Sequence, residues 1–219
     1  TVGVTVDDIF HHTAPVVLGA PQTFVIGDMP FGSYNVSVAQ AIESANRILM
    51  ETNCDAVKLE GGKDMAPAVE SMVKAGISVV GHIGLTPQTS VSFGGFKVQG
   101  GTPESAVALI EDAKALEAAG AIGIVVECVP SVVAKAMTEA VSIPIMGIGA
   151  GPDVDAQVMV TQDLLGMYGD FKPKFVKHFA NIREEMIKGL NEFHTESLSG
   201  AFPTPEFSFN KAIELPRVY

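Results

Sequence analysis

At 219 residues the chain is long enough for one large domain with a full core, and 47% hydrophobic with 18% charged residues is the composition of a folded globule rather than a disordered chain. A formal net charge of −11 with scattered basic residues excludes nucleic acid as the main partner, because phosphate binding needs a basic face; the acidity reads as solubility. No apolar run approaches the roughly 18 residues of a membrane span, so no membrane partner is expected.

Cys54 and Cys128 are far apart and match no metal or redox spacing, which predicts a reduced, cytoplasmic protein. The first residue is Thr1, not Met, so a targeting segment ahead of it stays open.

Helix and strand signals alternate along the chain. Thr5 caps a helix over about residues 6–14, with Asp7 and Asp8 at its positive end. Residues 23–27 form an apolar run. Ser37 and Gln40 have capping-box spacing ahead of a helix whose inner face is Ala41, Ile42, Ala45, Ile48 and Leu49. Residues 56–59 read as a strand, 65–75 as a helix closed by Gly76, and 77–81 as a strand. A Gly-rich loop covers about 84–101. Thr102 then caps a helix with Pro103 at its first position and Gly120 past its end; Ala106, Leu109, Ile110, Ala113 and Leu116 form its core face. Strands follow at 121–126, 143–148 and 157–161, with a helix from Ser131 between the first two. A long helix is predicted over 174–193, and a Pro- and Phe-rich arm from Ala201.

The strands are short, continuous and rich in Val and Ile, as in parallel strands buried on both faces. Their alternation with helices gives βαβ units. Six strands follow an opening helix, with no nucleotide-binding glycine fingerprint after the first. The expected fold is α/β, a (β/α)8 TIM-type barrel whose first one or two strands are missing from this chain; an open doubly wound sheet is the alternative. One domain is expected over 1–219, with the barrel to about 197 and an arm over about 198–219.

Polar residues fall at the strand ends. Asp28 closes the first strand, Lys58 and Glu60 the second, His82 follows the third, and Glu127 the fourth. In a parallel barrel these ends share the rim where the chemistry occurs. Taken singly, a polar residue after a strand is usually a loop residue or a helix cap. Four successive strands ending this way are harder to assign to loops.

Lys58 and Glu60 are two apart and face the same way. A mutual surface salt bridge is the plain alternative, worth only about 0–1 kcal/mol. Asp28 and Glu60 on neighbouring strands offer an oxygen site suited to Mg²⁺, which keeps several waters. Asp28 could instead cap a turn before Pro30. His82 could donate to a bound anion or be a satisfied core histidine. Glu127, between Val126 and Cys128, has the apolar setting of a general base, or is a structural acid at the rim. The Gly147–Gly151 run could approach a ligand through its backbone. His11 and His12 read as structural, His178 and His194 as solvated.

Several motifs together resemble the ketopantoate hydroxymethyltransferase family. They are Gly27-Asp28-Met29-Pro30-Phe31-Gly32-Ser33-Tyr34, Val57-Lys58-Leu59-Glu60-Gly61-Gly62 and Gly81-His82-Ile83-Gly84-Leu85-Thr86-Pro87-Gln88. Gly94-Gly95-Phe96-Lys97-Val98-Gln99-Gly100, Val126-Glu127-Cys128-Val129-Pro130, residues 145–153 and Pro173-Lys174-Phe175-Val176-Lys177 continue the match in the family's order.

The resemblance implies a Mg²⁺-dependent barrel that takes 5,10-methylenetetrahydrofolate as co-substrate and 3-methyl-2-oxobutanoate as the 2-oxo acid, and makes 2-dehydropantoate for pantothenate and coenzyme A synthesis. Asp28 would bind metal and oxo acid, Glu60 the metal, Lys58 and His82 the substrate, and Glu127 would be the base. It also implies a homo-oligomer, commonly a decamer. The family's further Asp-Ser metal and substrate motif has no match ahead of the first helix. Leu18 stands where a basic residue is common, and Phe207 where a His is. The rival readings are another Mg²⁺-dependent 2-oxo acid lyase or aldolase of the same barrel type, or a non-catalytic fragment. The former typically carries a catalytic Cys in a Lys-Arg/Lys-Cys-Gly-type loop, which is not seen here.

Overall fold

The computed structural model describes residues 2–169 and 172–214. The chain divides into two compact units, Thr1–Val158 and Met159–Tyr219. The sequence alone suggests one domain, with a change of character only near residue 197.

The first unit opens with helix α1 (Val6–Gly19), where the Thr5 hydroxyl accepts the Asp8 N–H and the Asp8 side chain accepts the Thr5 N–H. This reciprocal cap satisfies two otherwise orphaned donors. Strand β1 (Ile26–Asp28) leads to α2 (Val38–Thr52), which buries Ala41, Ala45 and Ile48. Then come β2 (Ala56–Glu60), α3 (Ala66–Lys74), β3 (Val79–Gly84), α4 (Pro103–Ala118), β4 (Gly123–Glu127), α5 (Ser131–Ala140), β5 (Ile145–Ile148) and β6 (Ala156–Gln157).

All the strands pair in parallel, in the order β1-β2-β3-β4-β5-β6. The six strands among the described residues form a parallel sheet with β1 and β6 at opposite ends of the order, and the complete eight-stranded barrel of the expectation is not shown. The strictly sequential order removes the doubly wound alternative, which reverses direction from a central strand.

Some boundaries differ from the sequence expectation for visible reasons. β3 runs to Gly84 because His82, Ile83 and Gly84 pair with Val125, Val126 and Glu127, so His82 lies inside the strand rather than after it. β1 begins only at Ile26 because the Val25 N–H is taken by the Asp55 carboxylate at 2.8 Å. β6 is two residues long and ends at Gln157, where the sequence suggests its start.

The core lies between the sheet and the helices. Val57, Leu59, Val79, Ile124 and Ile145 from the strands pack with Ile48, Met72, Ala113, Leu116 and Met137 from the helices. Glycines let the layers approach: a Cβ on Gly27 would meet Ile48 of α2, and one on Gly81 would come within 2.7 Å of Leu116 of α4. Gly27 and Gly81 therefore point at the helices, and their successors Asp28 and His82 point to the opposite face.

The second unit contains the short helix α6 (Thr161–Leu164) and α7 (Ile182–Ser199). α7 starts later than the sequence suggests. The residues before it form turns held by Phe179 N–H to Leu164 O at 2.8 Å and Ile182 N–H to Leu165 O at 3.1 Å. His194 is exposed on α7, and His178 lies before it, half-buried. In the expected arm, Phe202 stacks between Phe193 and Phe207, each 5.8 Å away; residues 215–219 lie outside the described residues. No helix among the described residues is long and apolar enough to cross a membrane.

Gly84 and Gly76 both have φ +89°, but only Gly84 is crowded, because a Cβ there would strike the backbone oxygen of Glu127. Gly76→Ala should cost about 1–2 kcal/mol from the left-handed backbone alone. Gly84→Ala should cost clearly more, since a backbone atom must move. Urea unfolding of both variants checks the ranking.

Candidate active site

The sheet register brings the polar residues together. Asp28 lies opposite Lys58 on β2, Glu60 opposite His82 on β3, and Gly84 opposite Glu127 on β4. Partners in a parallel ladder point to the same side, so Asp28, Lys58, Glu60, His82 and Glu127 share the face turned away from the helices. All lie near the C-terminal ends of four adjacent strands.

A chain of contacts links them. The Lys58 ammonium forms an ion pair with Asp28 Oδ1 at 2.8 Å and a hydrogen bond of 3.3 Å with His82 Nδ1. Glu60 Oε1 is 3.8 Å from His82 Nδ1, and Glu127 Oε2 is 3.3 Å from His82 Nε2. The mutual surface salt bridge weighed for Lys58 and Glu60 is therefore not what forms: the ion-pair partner of Lys58 is Asp28, on the next strand.

The His82 ring is 4% exposed. With Lys58 as donor, Nδ1 accepts and the ring proton sits on Nε2. Nε2 is buried and makes no aligned hydrogen bond, although the Glu127 carboxylate is nearby. Buried donors are rarely left unpaired, and catalytic hydrogen bonds often align only once a ligand arrives. The His82 donor is thus free to take an oxygen of a bound molecule.

Glu60 is the most enclosed of the acids, its side chain 4% exposed. Burial pushes its carboxyl above the usual carboxylate range, and His82, the Gln88 N–H and Lys58 pull it back. Oε2 accepts the Gln88 N–H at 2.9 Å. Asp28 is half exposed and pairs with Lys58.

Among the described residues, no three or more His, Cys, Asp or Glu side chains are grouped to hold a metal ion. Asp28 Oδ1 is paired with Lys58 and Glu60 Oε2 with the Gln88 N–H; among the described residues Asp28 Oδ2 and Glu60 Oε1 take part in no hydrogen bond, which leaves one oxygen of each acid on adjacent strands. Two carboxylate oxygens suit a hard cation such as Mg²⁺, which takes oxygen ligands and keeps several waters.

The other residues singled out in the sequence lie elsewhere. Gly151 is crowded by Ser131, which accounts for a glycine there without a ligand. His11 and His12 stack edge to face at 5.2 Å on the exposed side of α1. Cys128, next to Glu127, has φ +49° and a thiol pushed up to about 11 by burial. Cys54 is buried and neither cysteine is in a disulfide.

Two site residues escape sequence reasoning, Tyr34 and Gln88. They are buried and hydrogen-bonded to one another at 2.7 Å beneath Glu60. Tyr34 lies in the loop after β1 and Gln88 in the 3-10 helix Pro87–Phe93, and no period or spacing marks them.

An all-parallel α/β sheet with acids, a lysine and a histidine at the ends of adjacent strands is the layout of an α/β-class enzyme. Residues 1–205 match the model of the family described as ketopantoate hydroxymethyltransferase, and the chain belongs to that family. A "3-methyl-2-oxobutanoate hydroxymethyltransferase" of Heliobacterium modesticaldum is 55% identical over 219 residues, covering 100% of this chain and 79% of the relative. One of the same name from Clostridioides difficile is 49% identical over 220 residues, covering 100% and 80%. The crystal structure of a phosphonopyruvate hydrolase superposes with TM-score 0.50 at 10% identity, covering 93% of this chain and 73% of that one, a likeness of fold alone.

The raised Glu60 carboxyl has a consequence for stability. Its folded value lies above the unfolded one, so the folded chain holds this proton more tightly. The contribution is present in full below the usual value of 4.5 and is lost as pH rises through the folded value. Melting temperatures of the metal-free chain from about pH 4 upward should show that decline, and Glu60→Gln should flatten it. Parallel curves for the two proteins would contradict the assignment.

Proposed function

We propose that the chain transfers a hydroxymethyl group from 5,10-methylenetetrahydrofolate to 3-methyl-2-oxobutanoate, giving 2-dehydropantoate. The observation that carries this reading is the contact chain Asp28–Lys58–His82–Glu127 across four strands, with Glu60 beside it, in a chain of this family. It sets a base, a fixed cation and a free N–H donor side by side, which is what removal of a proton next to a carbonyl requires.

Asp28 and Glu60 would hold Mg²⁺, which as a Lewis acid supplies stabilisation of negative charge on the keto and carboxylate oxygens of the 2-oxo acid. Glu127 takes the proton from C3, and the C–H electron pair moves into the C2–C3 bond as charge builds on the keto oxygen. Lys58 and the His82 Nε2–H would stabilise that charge. C3 then bonds to the methylene carbon as its bond to one folate nitrogen breaks; water next displaces the second nitrogen and supplies the hydroxyl oxygen, and the two nitrogens take up the proton held by Glu127 and one proton from the water. Partners on this reading are small molecules only. A homo-oligomer up to a decamer, in the cytoplasm, belongs to the same proposal.

The half-reaction gives the test. Deuterium exchange at C3 of 3-methyl-2-oxobutanoate, followed by NMR in D₂O without folate, should depend on Mg²⁺ and stop with EDTA. Glu127→Gln should slow it by about 10²–10⁴-fold while keeping the fold, the usual contribution of a general base. A folded wild-type chain that exchanges no proton at saturating Mg²⁺ would overturn the reading.

A further inference from the structure

Three segments distant in sequence meet at Gln88. Its backbone N–H donates to Glu60 Oε2 at 2.9 Å, its side-chain Nε2–H donates to Met29 O at 2.9 Å, and its Oε1 accepts the Tyr34 hydroxyl at 2.7 Å. The Tyr34 oxygen accepts the Glu60 backbone N–H at 3.3 Å. Tyr34, Gln88 and Glu60 are all buried. The bonds form a closed circuit from tyrosine to amide to carboxylate, and back through the Glu60 backbone to tyrosine.

The geometry of this circuit has a direction. Met29 follows Asp28 directly, so the Gln88 amide fastens the strand end that carries one acid. Its backbone takes one oxygen of the other acid, and Glu60 Oε1 is left toward the shared face. Tyr34 fixes the amide's orientation, because its O–H selects Oε1 as acceptor and so turns Nε2 toward Met29. A network whose sole role was core stability would have no need to connect the backbones beside both acids.

We propose that Tyr34 and Gln88 are positioning residues that set the spacing of the Asp28 and Glu60 carboxylates, and through them the affinity for the divalent cation. The inference rests on the reading of Asp28 and Glu60 given above. Neither residue is a ligand: Gln88 acts through Glu60 and Met29, and Tyr34 through Gln88. Residues that orient metal ligands from behind typically change affinity or activity by about 10- to 100-fold when removed.

The test uses the full chain and the variants Tyr34→Phe, Gln88→Met and Gln88→Asn. The primary readout is the Mg²⁺ dissociation constant without substrate, from competition with Mn²⁺ followed by EPR, with thermal melting alongside. Tyr34→Phe and Gln88→Met should weaken Mg²⁺ by about 10-fold or more. Their kcat at low Mg²⁺ should fall in parallel and recover toward wild type at saturating Mg²⁺. Gln88→Asn keeps the amide but shortens the reach, and should lie between wild type and Gln88→Met. Folded variants with lower melting temperatures but wild-type Mg²⁺ affinity would overturn the inference, leaving only a structural role. Should Gln88→Met not fold, Tyr34→Phe, which removes a single oxygen, decides alone. A wild-type chain that binds no Mg²⁺ overturns the metal reading and this inference together, while one that binds it no better than both variants overturns only the inference.

Discussion

A carboxylate as enclosed as that of Glu60 persists only if its surroundings replace the water it has lost. An unpaired charge taken out of water costs several kcal/mol, and attraction to neighbours must return most of that. Here one oxygen receives a backbone N–H, and the Lys58 ammonium lies close by. Each group around it is held by something else. Lys58 is drawn toward Asp28, His82 is fixed within β3 by pairing on both sides, and the Gln88 N–H is aimed by a turn anchored to Met29 and Tyr34. The burial of one acid thus fixes the arrangement of three strand ends and one loop.

The backbone of the site depends on the parallel register, which follows from short Val- and Ile-rich strands between amphipathic helices. Two ties at the end of β4 show how little freedom remains. The Leu85 N–H donates to Glu127 O at 2.8 Å, and the Gln99 N–H donates to Cys128 O at 2.9 Å. The loop leaving β3 is therefore pinned at both ends to the residues that carry the candidate base. Gly84 allows that approach, having no Cβ to strike the Glu127 oxygen.

Much of this was legible before any coordinates. Thr5, Ser37 and Thr102 announced their helices because a hydroxyl one turn before a free N–H is a local signal, and all three accept the expected bond. Asp28, Lys58, Glu60, His82 and Glu127 stood out because a polar group directly after an apolar run is conspicuous, and parallel pairing places such residues on one face. What the sequence hid is non-local. β3 continues past His82 because β4 offers partners there, and α7 starts late because backbone bonds to the turn after α6 claim the residues before it. Tyr34 and Gln88 are 54 residues apart, and neither period nor spacing relates them. The ion pair of Lys58 with Asp28, rather than with its near neighbour Glu60, is likewise a product of strand pairing.

Charge balance supports the divalent cation from a direction independent of ligand geometry. Asp28, Glu60 and Glu127 gather around one ammonium, that of Lys58, and one imidazole. With all three acids ionised the face carries an excess of negative charge, and a 2-oxo acid would bring another carboxylate into it. Burial holds a proton on Glu60 more tightly, and the nearby Asp28 carboxylate adds to the same direction. A dication between Asp28 and Glu60 would relieve the excess, and would return Glu60 to its ionised form. Proton and cation would then compete for the Glu60 carboxyl.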